Sequence, residues 1–309
     1  MAVSPSSEVL GAQWPELPFA QGKATFDTLH MLTQIVGKIR LSLTPWINHS
    51  WHVALYPTAR GLTTTTMPCG ARVFQIDFDF IDHCLVLCTE DGTRRTIALG
   101  TRAVADFYRE LIDLLAELRL DVVIYPRPNE VAEAIPFDQD RVHGEYDPAM
   151  ANRWWRALLQ AERVFRQFRA RFVGKSSPVH FFWGGFDLAV TRFSGRAAPG
   201  HPGGIPNCPD WVMREAYSHE VCSAGFWPGS AEVPYPLFYA YAYPEPPGFS
   251  AARLQPDDAF YEPVLREFVL PYERVRQAQS PDAALIAFIH SSYESAADLG
   301  KWDRAALER

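Results

Sequence analysis

Between Val73 and Ile81 apolar and polar side chains exchange at every residue: Phe74, Ile76, Phe78 and Phe80 fall on one side, Gln75, Asp77 and Asp79 on the other. A period of two belongs to an extended strand with one buried face, and that face needs a cover. Cys84 to Cys88, a Glu90-Asp91-Gly92 turn and Arg94 to Leu99 then read as a hairpin. The cover is predicted upstream and downstream. From Thr25 to Leu43 the residues Leu29, Leu32, Val36, Ile39 and Leu43 recur at helical spacing until Pro45, and a second helix is expected from Arg102 to Leu118. A narrower stripe on the first helix, His30, Thr33, Gln34 and Gly37, is read as either solvated or lining a cavity.

The pattern then repeats. Short strands are expected at Trp51–Tyr56 and Asp121–Tyr125, and residues 126–148 lack any sustained period and read as a connector. Beyond it come a helix from Ala149 to Phe172, strands at Val179–Ser194, Glu215–Ala224 and Leu237–Tyr243, a helix at Asp257–Gln277 and an apolar run at Ala283–Ile289. The expected fold is α+β: two pseudo-repeated α-β-β-β-α-β halves, 14–125 and 149–309, with mainly antiparallel sheets packed against helices and a flexible tail at 1–13. A cleft between such halves is a natural ligand site.

Composition narrows the partners. The net charge is -7 with no run of basic residues, which argues against nucleic acid or an anionic membrane surface. No apolar window is long enough for a membrane span, the N-terminus lacks the pattern of a secretory leader, and five cysteines form no CxxC pair or framework. A cytoplasmic protein with reduced thiols and a small-molecule ligand is expected. Oligomeric state is left open.

The segments TLHMLTQIVGKIRL, NHSWHVALYPTARGLTT, FQIDFDFIDHCLVL, SPVHFFWGGFDLAVTRFSG, EAYSHEVCSAGFWPG and FYAYAYPEPPGF resemble those of a bacterial family catalogued as domain of unknown function 5996. The resemblance runs from about Trp14 to Leu307 and implies one full-length unit. It implies no activity, cofactor or catalytic residue.

Chemistry has to be sought in the residues themselves. His30, His52, His180 and His219 are the catalytic candidates, since imidazoles converging from several elements can act as acid and base. With Glu220, His180 and His219 are also the candidate ligands for a divalent metal, zinc or iron, although no HExxH motif supports one. Neighbours on a strand face opposite ways, so His219 is favoured over Glu220. Trp183, Arg192, Tyr217, Tyr241, Gln34 and Arg60 are candidates for substrate binding. Asp77 and Asp79 could bind a cation or a substrate amine or share a proton, but read first as a solvated strand face, and Asp187 and Arg192 read as pointing to opposite faces. Three phenols in a row, Tyr239, Tyr241 and Tyr243, wall either a pocket or a partner-binding face. No GxGxxG, P-loop or GxSxG pattern stands in its required context. The expected function is a small-molecule enzyme with a His-centred polar cleft. The alternatives are a non-catalytic ligand-binding or interaction module, or structural histidines with the functional face in the Arg196–Pro209 loop.

Overall fold

The first helix, α1 (Phe19–Leu43), is buried on nearly every side. A computed structural model describes residues 14–309, so the expected tail at 1–13 lies outside the described residues. Leu29, Ile35, Val36 and Ile39 are fully enclosed, and so are Thr33 and Gln34, with Lys38 and Arg40 nearly so. A helix enclosed all round belongs to the interior of a protein rather than its surface. The polar stripe is therefore neither solvated nor a cavity wall: His30 and Gln34 bond to the backbone of other segments, and Thr33 to the His30 carbonyl of its own helix. Gly37 marks the closest approach. A Cβ there would fall 2.2 Å from the indole of Trp183, which donates from Nε1 to the Val53 carbonyl at 2.9 Å.

The first sheet comprises β1 (Tyr56–Pro57), β2 (Gly61–Thr63), β3 (Met67–Cys69), β4 (Arg72–Asp79), β5 (Cys84–Thr89) and β6 (Arg94–Ala98). Its order is β1-β2-β4-β5-β6, with β3 also pairing β4 and every pairing antiparallel. Phe74, Ile76, Phe78 and Phe80 are buried as their alternation requires, and α2 (Val104–Glu117) adds Val104, Phe107, Leu111 and Leu115 to the same core. Two expected strands are absent. His49 and Ser50 turn the chain through left-handed φ of 59° and 58°, so Trp51–Tyr56 leaves only a bridge from Leu55 to Phe181 before β1. Asp121–Tyr125 has no strand pairing.

No helix or strand forms between Glu117 and Pro148, a range that takes in residues 126–148. Asp147 caps α3 (Pro148–Ala170) by accepting from Ala149 N at 2.8 Å. The second sheet comprises β7 (His180–Phe182), β8 (Asp187–Ala197), β9 (His219–Trp227), β10 (Leu237–Tyr243), β11 (Phe260–Glu262) and β12 (Glu267–Pro271), in the order β11-β12-β10-β9-β8-β7 and antiparallel throughout. Helix α4 (Asp210–Ala216) precedes β9, and α5 (Tyr272–Arg276), α6 (Pro281–Leu299) and α7 (Arg304–Leu307) end the chain. The expected strand Val179–Ser194 folds back at Trp183–Phe186 into the β7-β8 hairpin, with Phe186 at φ 59°. The expected helix Asp257–Gln277 is mostly the β11-β12 hairpin, because Arg266 at φ 59° reverses the chain and Phe268 pairs with Tyr261. The apolar run Ala283–Ile289 is helical, within α6.

The fold is thus α+β, two six-stranded antiparallel sheets packed with helices around a continuous apolar core. No helix among the described residues is long and apolar enough to cross a membrane. Alternation divides β8: Leu188, Val190 and Arg192 are buried toward the helices, while Asp187, Ala189, Thr191 and Phe193 line a cavity on the other face. Replacing Gly37 by Ala should destabilise the protein by ~1–3 kcal/mol in urea unfolding despite alanine's better helix propensity, because overpacking against Trp183 outweighs that gain; unchanged or raised stability would refute this close fit.

Candidate functional site

The cavity has a volume of about 400 Å3 and lies over the face of the second sheet opposite α3 and α6. Strand parity fills its wall. Asp187 and Thr191 come from β8, Ser223 from β9, Tyr239 and Tyr241 from β10, and Glu267 from β12, while Tyr217 reaches in from the end of α4. Trp51, Phe182, Phe193 and Trp227 supply apolar surface.

The phenols are arranged by hydrogen bonds. Tyr239 Oη donates to Asp187, Tyr217 and Tyr241 share a bond of 2.8 Å, and Thr191 and Ser223 share one of 2.9 Å. Gly225, opposite Tyr239 in the β9-β10 ladder, leaves the room for this: a Cβ there would fall 2.2 Å from the Tyr239 ring.

Glu130 enters from the connector. Gln34 holds both backbone atoms of Asn129, donating to its carbonyl at 2.7 Å and accepting from its N–H at 2.9 Å. Lys38 donates to the Asn129 side chain. Glu130 then turns through φ 61°, its N–H donating to the Pro206 carbonyl at 2.8 Å. That turn delivers the carboxylate to the β7-β8 hairpin: a Cβ on Gly184 would meet Glu130 Oε1 at 2.1 Å, and one on Gly185 would lie between Asp187 Oδ1 and Glu130 Oε2, at 3.0 and 3.7 Å. His30 secures the same hairpin through a 2.8 Å bond from Nε2 to the Gly184 carbonyl.

Glu130 and Asp187 therefore meet at one end of the cavity, Glu267 lines it close enough to feel the Asp187 charge, and no lysine or arginine is among its lining residues. Desolvation is the main cause of their shifts. It raises Glu267 from 4.5 to about 8, with the Asp187 charge adding to it, and Glu130 from 4.5 to about 7 for the same two reasons. Asp187 rises from 3.8 to about 6, its desolvation partly offset by the Tyr239 hydrogen bond. Glu130 as a residue stays exposed, while Asp187 and Glu267 are half-buried. Tyr239 and Tyr241 are pushed well above their usual range by burial, and then by the charges of Asp187 and Tyr217 respectively, so both remain protonated donors.

At the other end stands His49. Its Nδ1 lies 2.9 Å from the Ala216 carbonyl and its Nε2 2.8 Å from Lys175 Nζ. A neutral ring that donates from Nδ1 and accepts at Nε2 satisfies both contacts.

Of the substrate-binding candidates, only Tyr217 and Tyr241 line the cavity. The histidines do not converge. His30 is a brace, and burial lowers it to about 4. His52 is buried and accepts from Ile47 N at 3.2 Å. His180 is buried against Phe182, which lowers it to about 3. His219 bonds Ser218 Oγ at 3.0 Å and pairs with Ala197, whereas His180 pairs with Ala189 at the opposite end of β8. Glu220 bonds Ser194 and Arg196. The metal set His180, His219 and Glu220 is scattered accordingly, and no group of three or more His, Cys, Asp or Glu among the described residues is arranged to hold an ion.

Trp183 and Gln34 act inside the core. Arg192, sequestered by the parity of β8, stacks 3.5 Å over Phe168 and 4.3 Å over Tyr293, and burial lowers it to about 10. Arg60 pairs with Asp79 and Asp82, both at 2.6 Å. Asp77 bonds to Gln75, while Asp79 is buried rather than solvated, capping the turn at Ile81 and Asp82.

Sequence reasoning missed Glu130 and Glu267 and did not select His49, Asp187 or Tyr239. The signal for Tyr239 was the phenol row. For Asp187 it was the Gly184-Gly185 pair before a strand.

Because the folded state raises the Glu267 pKa, its stabilising contribution is full below about 4.5 and is lost as pH rises through about 8. Glu267→Gln cannot ionise. Its melting temperature should match the wild type near pH 4.5 and exceed it by ~2–4 °C at pH 9; a constant offset across that range would contradict the assigned shift.

Residues 14–309 match the model of a protein family described as a family of unknown function, DUF5996. No curated protein and no solved structure matches the chain.

Proposed function

We propose that this chain, which belongs to the family of unknown function DUF5996, is an enzyme acting on a small molecule in the cavity over the second sheet, with carboxyls rather than histidines as its acid and base. The observation that carries the reading is the meeting of Glu130 and Asp187 in a cavity of about 400 Å3 that Glu267 also lines, a volume suited to a small organic ligand. Carboxyls whose environments hold their pKa values apart divide naturally into a base and an acid. Asp187, at about 6, is ionised at neutral pH and is the base. Glu267, at about 8, retains its proton and is the acid. Tyr239 steadies the Asp187 carboxylate, and the aromatic wall limits access of water to the reacting groups. We place the enzyme in the cytoplasm, where its five free thiols stay reduced.

Incubation of the protein with a small-metabolite extract, followed by mass spectrometry, tests the reading. A metabolite should be consumed by wild type and by His219→Ala, with consumption slowed ~10²–10⁴-fold in Asp187→Asn, the usual range for loss of a general base. The rate should fall below about pH 6 as Asp187 gains a proton and above about pH 8 as Glu267 loses one, the two limbs belonging to the coupled cluster. If no compound is consumed, or if Asp187→Asn consumes it at the wild-type rate, the acid/base assignment falls.

A further inference from the structure

Several partly buried acidic groups elsewhere in the protein carry a basic partner. Asp79 is paired with Arg60, Glu220 with Arg196, and Asp282 with Arg163. Among the described residues no side chain hydrogen-bonds or ion-pairs with Glu130 or Glu267, and Asp187 receives only the Tyr239 hydroxyl. Removing carboxylates from water without a counter-charge is costly, and a ligand that supplies the charge recovers the cost.

The carboxyl end of the cavity has a second property. The rings of Tyr239 and Tyr241 stack 6.1 Å apart, and Phe182 and Trp227 stand on the same wall. Aromatic faces attract an organic cation through their quadrupole, most strongly where water is scarce. An inorganic ion is disfavoured on geometry, since no three acidic or other ligating groups among the described residues are arranged round one point.

We propose that this end of the cavity binds the cationic group of an organic molecule, an ammonium or guanidinium on an apolar body, placed between Glu130 and Asp187, against the tyrosine faces and within the field of Glu267, which lines the same cavity. The inference rests on the cavity being the functional site and adds the substrate class. A single bound cation offsets one carboxylate and leaves like charges facing each other, so the remaining carboxyls keep a proton available for acid catalysis. Cation binding near neutral pH accordingly expels protons from the cluster.

Calorimetric titration of the full chain with n-butylammonium, n-butylguanidinium and tetramethylammonium, against n-butanol, butyrate and glucose, tests it. At least one cation should bind saturably, about tenfold or more tighter than butanol or butyrate, and lose about tenfold or more in Asp187→Asn and in Glu267→Gln. At pH 7 the binding heat should depend on buffer ionisation enthalpy with the sign of proton release. Glu220→Gln, on the other face of the sheet, should bind as wild type does, and melting curves confirm that each variant is folded. The inference is overturned if no cation binds, if butanol or glucose binds as tightly, or if both carboxyl variants bind the cation unchanged. Cation binding without metabolite turnover would leave this inference standing and refute the acid/base reading; turnover of a neutral or anionic metabolite without cation binding would do the reverse.

Discussion

The amide of Gln34 clasping both backbone atoms of Asn129 is the contact on which the site depends. It is enclosed in the core on a helix with no freedom to shift, and it ties down a long stretch of connector that has no regular structure of its own. Fixing Asn129 fixes the left-handed turn at Glu130. One turn earlier on the helix, His30 fixes the carbonyl of Gly184, and with it the hairpin that launches Asp187. Two carboxylates 57 residues apart in the chain are thus brought together by neighbouring side chains of a single buried helix.

The second sheet then divides its labour by parity. One face of β8 contributes Leu188, Val190 and Arg192 to the helices, and the other contributes Asp187 and Thr191 to the cavity. The guanidinium of Arg192 shows how strictly this holds: although the chain has unneutralised carboxyls on the other side of the same strand, Arg192 is confined among Phe168, Phe172 and Tyr293 and cannot reach them. The carboxyl pKa values, raised chiefly by desolvation, therefore receive no offset from that guanidinium.

Much of the architecture was legible because it rests on local periodicity. The Phe74 to Phe80 alternation, the two long helices and the tyrosine row all express repeats that a strand or helix imposes on its own residues. Where backbone reversals at single residues decided the outcome, the sequence was silent: Phe186 and Arg266 sit at positive φ without being glycine, and a strand and a helix expected across them became hairpins. The histidines misled for a different reason. Imidazole serves equally well as a buried hydrogen-bonding plug, and His30 and His52 are used that way. Glu130 was beyond reach, since nothing local distinguishes a carboxylate in an aperiodic connector until a distant helix pins it. Glu267 was lost with the misassigned helix.

The connector and the loop before α4 are laced together: Asn129 Nδ2 donates to the Asn207 carbonyl at 2.6 Å, Asn207 Nδ2 to the Val131 carbonyl at 2.7 Å, and Glu130 N to the Pro206 carbonyl at 2.8 Å. Each loop is the template for the other. An insertion or deletion in one would slip this lacing unless the other changed length with it, so the two are bound to drift together in evolution as one seam.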